Sequence, residues 1–372
     1  MSEGLRVAVD VTPLVGVRAG VRQCVQHLLA ALPTAAPDIE VVPYVLSRAA
    51  RKLAAELPFN TRFLRVPAGV ALRMWTRADW PRADGTFDYV DVVHGTNFVV
   101  PPTARPSTVT VHDTYCLVHP SACDPNVRPF EKILARSVQR GTWLHVSTRA
   151  VKYQMLSLFG AERVVRVPFG VPPIAPTGAL PPSVTGPYIL SISTLERRKR
   201  HEHLVRAFRS VAPWDPDLQL VIAGADGNAK DDVLKAIRAL PDDVGRRVVL
   251  VGRVDESTRA ALVRKATVLA YPSEDEGFGF PVLEAMAVGV PVVATRVGGI
   301  PEVAGGAALL VEVDDDPGEL VEALRRVVTD GSLRARLRRR GRTRAEEFSW
   351  EAHAAGMADL WRRAADAGVR AA

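Results

Sequence analysis

Two glutamates, Glu276 and Glu284, stand with seven residues between them in Ser273–Val303, SEDEGFGFPVLEAMAVGVPVVATRVGGIPEV. The turn Glu276-Gly277-Phe278-Gly279-Phe280 follows a short apolar run and leads into a helical pattern. Pro281 suits the first helical position, where a missing N–H costs nothing. A helix start leaves backbone N–H groups unpaired and carries partial positive charge. Glycines let that backbone approach a ligand closely, so the turn is expected to hold an anion, with phosphate as its natural guest. With Glu276 in the turn and Glu284 one turn into the helix, two carboxylates can hold hydroxyls on either side of that phosphate. A sugar, a diphosphate and a nucleoside have that layout.

Other groups fit the same chemistry. Arg198 and Lys199 follow the apolar run Tyr188–Ile192, and open α/β sheets bind ligands at such strand ends. Fixed cations there would stabilise a departing diphosphate. His112, with Asp113 beside it, and His94 each close a strand-like run. A neutral imidazole can donate to a sugar hydroxyl or to the reacting centre. His119, before Pro120, reads as loop structure. Asp314-Asp315-Asp316 precedes Pro317 and a helical stretch, so turn and cap chemistry explains it better than a metal.

Strand-like apolar runs at Leu5–Val11, Ile39–Leu46, Val90–His94, Thr108–His112 and Leu144–Ser147 must position the first set of these groups. Helical segments lie between several of them, among them Gly20–Leu32, which indicates a parallel sheet with crossover helices. The stretch Val171–Pro187 is rich in proline and glycine and reads as a linker. A second alternating set runs through Tyr188–Ile192, Leu218–Ala223, Val248–Val251, Val268–Tyr271, Pro291–Ala294 and Ala308–Val311. The fold class is therefore α/β, with two Rossmann-like domains facing each other across a cleft. The first βα turn has glycines at Gly16 and Gly20, without the strict G-x-G-x-x-G of a nicotinamide dehydrogenase.

A chain of 372 residues is longer than one core usually holds. The formal charge of +7 comes mostly from arginine and fits anionic substrates or an anionic membrane surface. Nucleic acid is not an expected partner, because few basic residues are interleaved with aromatics. The run Arg334–Arg344 reads as a solvated helical face. Cys24, Cys116 and Cys123 show no metal-ligand spacing and read as reduced thiols of a cytoplasmic protein. No signal-peptide core fits the start of the chain, and no apolar run reaches the roughly 18 residues that cross a bilayer. A lipid acceptor would then imply peripheral attachment at the inner face of the membrane.

The segment EGFGFPVLEAMAVGVPVVAT resembles the E-x7-E signature of the retaining, GT-B-fold glycosyltransferases of family 4. The resemblance extends to the opening VAVDVTPLVG, His94-Gly95-Thr96-Asn97, VTVHD at Val109–Asp113, TLERRK at Thr194–Lys199, and Phe348-Ser349-Trp350. The flavour is that of the mannosyltransferase-B-like branch. The resemblance implies an N-terminal acceptor domain over 1–171 plus a returning C-terminal helix over 351–372. It implies a linker over 172–187 and a nucleotide-sugar donor domain over 188–350. By resemblance, Glu276 binds the donor sugar, and the backbone around Phe278, Gly279 and Phe280 contacts the diphosphate or sugar. Glu284 takes the ribose, Arg198 and Lys199 the phosphates, and the loop of Arg253 and Val254 the nucleobase. Gly20 approaches the donor phosphate or acceptor, and His112 faces the donor sugar, with His94 and Asp113 on the acceptor side. The resemblance further implies a GDP- or UDP-linked donor, a hydroxyl acceptor on a glycan, lipid-linked sugar or small molecule, no cofactor and no metal. An epimerase or hydrolase of the same fold, or a non-catalytic nucleotide-sugar binder, is the rival reading.

Overall fold

The computed structural model describes residues 4–15, 20–47, 50, 52, 57–123, 125 and 127–369. Most of the first glycine-bearing loop, Gly16 included, lies outside them. The chain divides into two compact units, Met1–Gly170 with Phe348–Ala372, and Val171–Glu347. Each is a Rossmann-like α/β unit built on one parallel sheet.

The first unit holds strands β1 (Leu5–Asp10), β2 (Ile39–Val45), β3 (Arg62–Phe63), β4 (Val92–Gly95), β5 (Ser107–Val111), β6 (Trp143–Val146) and β7 (Val164–Arg166). Its helices are α1 (Gly20–Ala35), α2 (Ala68–Trp75), α3 (Tyr115–Val118), α4 (Phe130–Gln139) and α5 (Arg149–Phe159). The sheet order is β3-β2-β1-β4-β5-β6-β7. Val7, Ala8 and Val9 of β1 are fully buried although successive side chains face opposite sides. Both faces of the sheet are therefore covered, as a parallel sheet with crossover helices requires. Two-residue β3 and three-residue β7 are edge strands too short to leave an apolar run in the sequence.

The second unit holds β8 (Tyr188–Ile192), β9 (Gln219–Ala223), β10 (Val248–Gly252), β11 (Val268–Tyr271), β12 (Val292–Thr295) and β13 (Leu309–Val311). Its helices are α6 (His201–Val211), α7 (Lys230–Arg238), α8 (Asp242–Gly245), α9 (Glu256–Lys265), α10 (Phe280–Ala287), α11 (Ile300–Ala304), α12 (Gly318–Thr329) and α13 (Gly331–Ala345). The order is β10-β9-β8-β11-β12-β13. The final helix, α14 (Trp350–Val369), belongs to the first unit and packs on α1. Ala354, Met357, Ala358 and Trp361 form its buried face. Gly356 comes so close to Val167 that an added Cβ would lie 2.6 Å from a side-chain carbon.

In each unit the chain leaves a central strand in one direction and later returns to its other side. The reversals fall between β1 and β4 and between β8 and β11. Loops part at such points and leave a crevice at the carboxyl ends of the strands.

The cysteine expectation needs correcting. Cys116 and Cys123 are joined in a disulfide, with Cα atoms 5.8 Å apart, while Cys24 is free and buried. The turn from α3 into the one-turn helix Pro120–Ala122 doubles the chain back, so a sequence spacing that suggests no pairing brings the two sulfurs together. Asp314 and Asp316 act locally: their carboxylates accept from the amides of Asp316 and Gly318, each at 3.0 Å, just before α12.

Candidate active site

In the second unit the expected residues gather at the β8/β11 reversal. After β8 the chain makes a single 3-10 turn, Arg197–Lys199. Arg200 then takes a left-handed conformation, φ 52°, before α6 begins. This turn sends four consecutive basic side chains different ways. Arg197 is exposed and reaches Asp232 at 3.2 Å. Arg200 is buried, bonding Glu274 at 3.1 Å and the Asp314 carbonyl at 2.5 Å. Arg198 and Lys199 turn to Glu276: Lys199 Nζ pairs with its carboxylate, and Arg198 Nη1 lies 4.0 Å away. The turn, rather than the local sequence, decides which cations can face a ligand.

Glu276 is 8 % exposed, so its charge needs partners. Burial alone would push its carboxyl up. The positive charges of Lys199 and then Arg198 outweigh that and hold it below the usual glutamate value. Tyr271, the last residue of β11, completes the cluster. Its hydroxyl accepts from Lys199 Nζ at 3.2 Å and bonds the Glu276 carboxylate. Burial, then the charge of Glu276, drives the Tyr271 phenol far up, which keeps it protonated. Sequence reading passes over Tyr271 because it reads as the last residue of an apolar strand.

The turn holding Glu276 is anchored on both sides. The Glu274 amide donates to the Arg198 carbonyl at 2.7 Å, and the Gly299 amide to the Glu276 carbonyl at 2.8 Å. Gly298, φ +47°, makes the second contact attainable: a Cβ there would stand 2.1 Å from the Glu276 carbonyl oxygen. Gly279, φ +90°, turns the chain into α10, which starts at Phe280 with Pro281 in its first turn. The rings of Phe278 and Phe280 meet at 5.0 Å. The amino end of α10 thus begins beside a buried ammonium and a guanidinium, an arrangement suited to a diphosphate.

Glu284, 1 % exposed, pairs with Arg259 of α9. Burial pushes the Glu284 carboxyl up, and the Arg259 charge offsets only part of the rise. Asp255 caps α9 by accepting the Thr258 amide at 2.8 Å, which fixes the helix that carries Arg259. Nothing in the sequence marks Arg259 apart from other helical arginines. Arg253 is exposed and Val254 half-buried, both between Gly252 of β10 and that cap.

The first unit has its own strand-end cluster. Asp10, closing β1, is buried, and burial raises its carboxyl to about 7, although Thr12 bonds it through backbone and side chain. Thr96, just after β4, donates its hydroxyl to the Asp10 carbonyl at 2.9 Å. His112, just after β5, places Nε2 at 2.9 Å from the Thr96 carbonyl. A carbonyl only accepts, so Nε2 carries the proton and Nδ1 is the acceptor nitrogen. The nitrogen that His112 has left to offer is therefore an acceptor, where a donor was expected. Burial lowers the His112 pKa and keeps the ring neutral. Its ring stacks on Phe169 at 5.7 Å.

His94 leaves the list of candidates. It is fully buried, its Nδ1 lies 2.8 Å from the Thr108 hydroxyl and its Nε2 3.4 Å from that of Thr110. Both nitrogens are used inside the core, and burial pushes its pKa down to about 3. Asp113 accepts the Tyr115 amide at 3.2 Å and so opens α3. Gly20 is exposed as the first residue of α1, and among the described residues an added Cβ would meet nothing within 4 Å. Among the described residues no cluster of three histidine, cysteine or acidic side chains could hold a metal ion.

Comparison with known proteins places this geometry. Residues 179–344 match the family model described as Glycosyl transferases group 1. The chain is 30 % identical over 282 residues to O-antigen chain mannosyltransferase B of Escherichia coli, covering 71 % of this chain and 72 % of that protein. It is 28 % identical over 362 residues to a phosphatidyl-myo-inositol mannosyltransferase of Mycolicibacterium smegmatis, covering 92 % and 87 %. Among solved structures, sucrose-phosphate synthase from Thermosynechococcus elongatus superposes with a TM-score of 0.70 at 20 % identity, covering 96 % of this chain and 98 % of that one. That likeness is one of fold, the two-unit GT-B arrangement of parallel sheets.

Proposed function

The chain belongs to the group 1 glycosyl transferases, and from that membership we propose that it is a retaining, metal-independent hexosyltransferase. It takes a sugar from a GDP- or UDP-linked donor, with mannose favoured by the two mannosyltransferase relatives, and leaves an α-linkage on a hydroxyl acceptor. The observation that carries this reading is the cluster of Lys199, Arg198, Glu276 and Tyr271 at the β8/β11 reversal beside the amino end of α10.

In the reaction the bond from the anomeric carbon to the diphosphate oxygen breaks, and a bond from that carbon to the acceptor oxygen forms on the same face. The acceptor proton passes to the departing phosphate oxygen. Lys199, Arg198 and the start of α10 supply positive charge where the leaving group gains negative charge. Glu276, kept ionised by its neighbours, takes a sugar hydroxyl and favours a positively charged reacting sugar. The backbone of Phe278, Gly279 and Phe280 lines the diphosphate, Glu284 takes the ribose hydroxyls, and Arg253 and Val254 border the nucleobase. For the first unit this reading assigns His112, with its acceptor nitrogen, to a sugar hydroxyl, Asp113 to the acceptor side and Gly20 to the donor phosphate or acceptor.

No described helix is long and apolar enough to cross a membrane. In this reading the enzyme works from the cytoplasm and meets any lipid acceptor peripherally. The test is a screen of nucleotide sugars for thermal stabilisation, followed by turnover with hydroxyl acceptors under chelation and assignment of the product anomer. Binding without turnover, turnover only when magnesium or manganese is restored, or a β-linked product would each defeat the corresponding part of the proposal. Donor cleavage that ignores every acceptor would make the protein a hydrolase.

A further inference from the structure

The whole chain has a formal charge of +7. Helix α13 alone, GSLRARLRRRGRTRA, contains seven arginines and no acid. The positive surplus is thus equal to that of one helix. Its buried face is narrow, Leu333, Leu337, Gly341 and Ala345, about one residue per turn.

Three of the arginines have structural partners. Arg334 donates to the Val327 and Val328 carbonyls at 2.7 and 2.6 Å, at the carboxyl end of α12. Arg342 reaches the Val288 carbonyl at 3.4 Å, just past α10. Arg344 bonds the Val303 and Glu302 carbonyls of α11 at 3.0 and 2.5 Å. Cations satisfy orphan carbonyls and complement the dipole at helix carboxyl ends. Arg336, Arg338, Arg339 and Arg340 are exposed and have no hydrogen-bond partner or ion pair among the described residues. Arg336 also acts at a distance on an acid: after the Leu333 and Ser332 amides, it helps to hold the Asp330 carboxyl low. Between Arg334, Arg338, Arg339 and Arg342 lies a surface hollow that Gly331 and Ala335 leave open and that no acidic residue lines.

We propose that the outer face of α13 is a docking surface for an anionic phospholipid bilayer. The unpaired guanidiniums diverge round little more than one turn of the helix, and Arg334 and Arg342 on either side extend the basic surface along it, which suits a sheet of phosphates better than a single small anion. The hollow admits one headgroup phosphate, which arginine can grip in bidentate fashion. No aromatic side chain stands on the helix to stack on bases, which disfavours single-stranded nucleic acid. The choice of a bilayer rests on the transferase reading above, taken with a lipid-linked sugar among its acceptors. Each basic residue close to an anionic membrane strengthens attachment by roughly fivefold, so four acting together amount to several hundredfold.

The test is co-sedimentation of the full chain with phosphatidylglycerol–phosphatidylcholine vesicles and with phosphatidylcholine vesicles, at about 0.1 M salt, where charges still act over roughly 10 Å. The wild type should partition to the anionic vesicles only. The variant R336Q/R338Q/R339Q/R340Q, whose substitutions keep good helix formers at the surface, should lose at least about a hundredfold of that partitioning while its melting temperature is retained. Equal binding to neutral vesicles, or a variant that binds as the wild type does, overturns the proposal. Displacement from vesicles by free pyrophosphate, or by duplex DNA at equal phosphate concentration, also overturns it and reassigns the face to that ligand. Donor-induced thermal stabilisation should survive in the variant. Its absence from the wild type would count against the transferase reading and leave the docking result standing.

Discussion

Lys199 and Glu276 form a buried ion pair although they lie 77 positions apart in the sequence, one following β8 and the other following β11, with Tyr271 bonded to both. The pair ties two strand-end loops together, and in the proposed reaction it also presents charge to the donor; substitutions separate the two roles.

Glu276→Gln should lower turnover at least about a hundredfold, or roughly 2.7 kcal/mol of barrier. It also strands the Lys199 ammonium, and breaking a buried pair costs about 3–5 kcal/mol of stability. A second variant, Glu276→Gln with Lys199→Met, should recover much of the melting temperature and none of the turnover. Recovery of turnover in the double variant would show that the carboxylate is structural only.

Lys199→Ala should weaken nucleoside diphosphate binding far more than nucleoside binding, since it removes a charge directed at phosphate. Isothermal calorimetry with the two ligands measures the difference. Equal losses for both would place the ammonium away from the diphosphate.

Arg259→Met should make nucleotide affinity pH-dependent. Burial already raises the Glu284 carboxyl, and the guanidinium is what opposes that rise. Without it the folded-state value climbs further, so Glu284 gains its proton at a higher pH than in the wild type and, in its proposed role, loses its grip on the ribose. Between pH 8 and pH 6 affinity should therefore fall more in the variant than in the wild type. Parallel profiles for the two proteins would remove Arg259 from the site.

Acid should destabilise the first unit through its core histidines. Burial first, and then neighbouring histidines, lower His94 to about 3 and His145 well below its usual value. Burial lowers His353 to about 4. Their ordinary value is 6.5, so the unfolded chain takes up protons first as pH drops. Stability is full above about pH 6.5 and declines below it, by up to roughly 1.4 kcal/mol per pH unit for each histidine. Asp10 works in the opposite sense: its carboxyl is raised from 3.8 to about 7, so it favours the folded state more as pH falls through that window. Asp10→Asn should thus raise the melting temperature at pH 8 and steepen the decline between pH 6.5 and 5. A melting temperature that is flat over this range in both proteins would contradict the assignment.

Most of the architecture was legible because the strands that build each sheet centre are unbroken apolar runs, such as Tyr188–Ile192, which the structure matches residue for residue. Edge strands β3 and β7 left no such trace. At the site, Glu276, Glu284 and Lys199 are visible as motif residues. Their partners Tyr271 and Arg259 are not, because one ends an ordinary apolar strand and the other sits on an ordinary amphipathic helix. Whether Arg197, Arg198 or Arg200 would face the ligand depended on one left-handed residue, and backbone handedness at a non-glycine position is not written in residue type. His94 looked like a functional histidine because it closes a strand, but two threonines on the adjacent strand absorb both its nitrogens.

The bond from the Gly299 amide to the Glu276 carbonyl, with Gly298 excluding any side chain, has a bearing on engineering. The two loops it joins are coded more than twenty residues apart, yet neither can change shape alone. A chimera that imports the 273–280 loop from another transferase to alter donor choice would clash with the resident 296–300 loop or lose its backbone anchor. The transplantable cassette is both loops together, and libraries confined to one of them would mostly sample misfolded turns rather than new sugars.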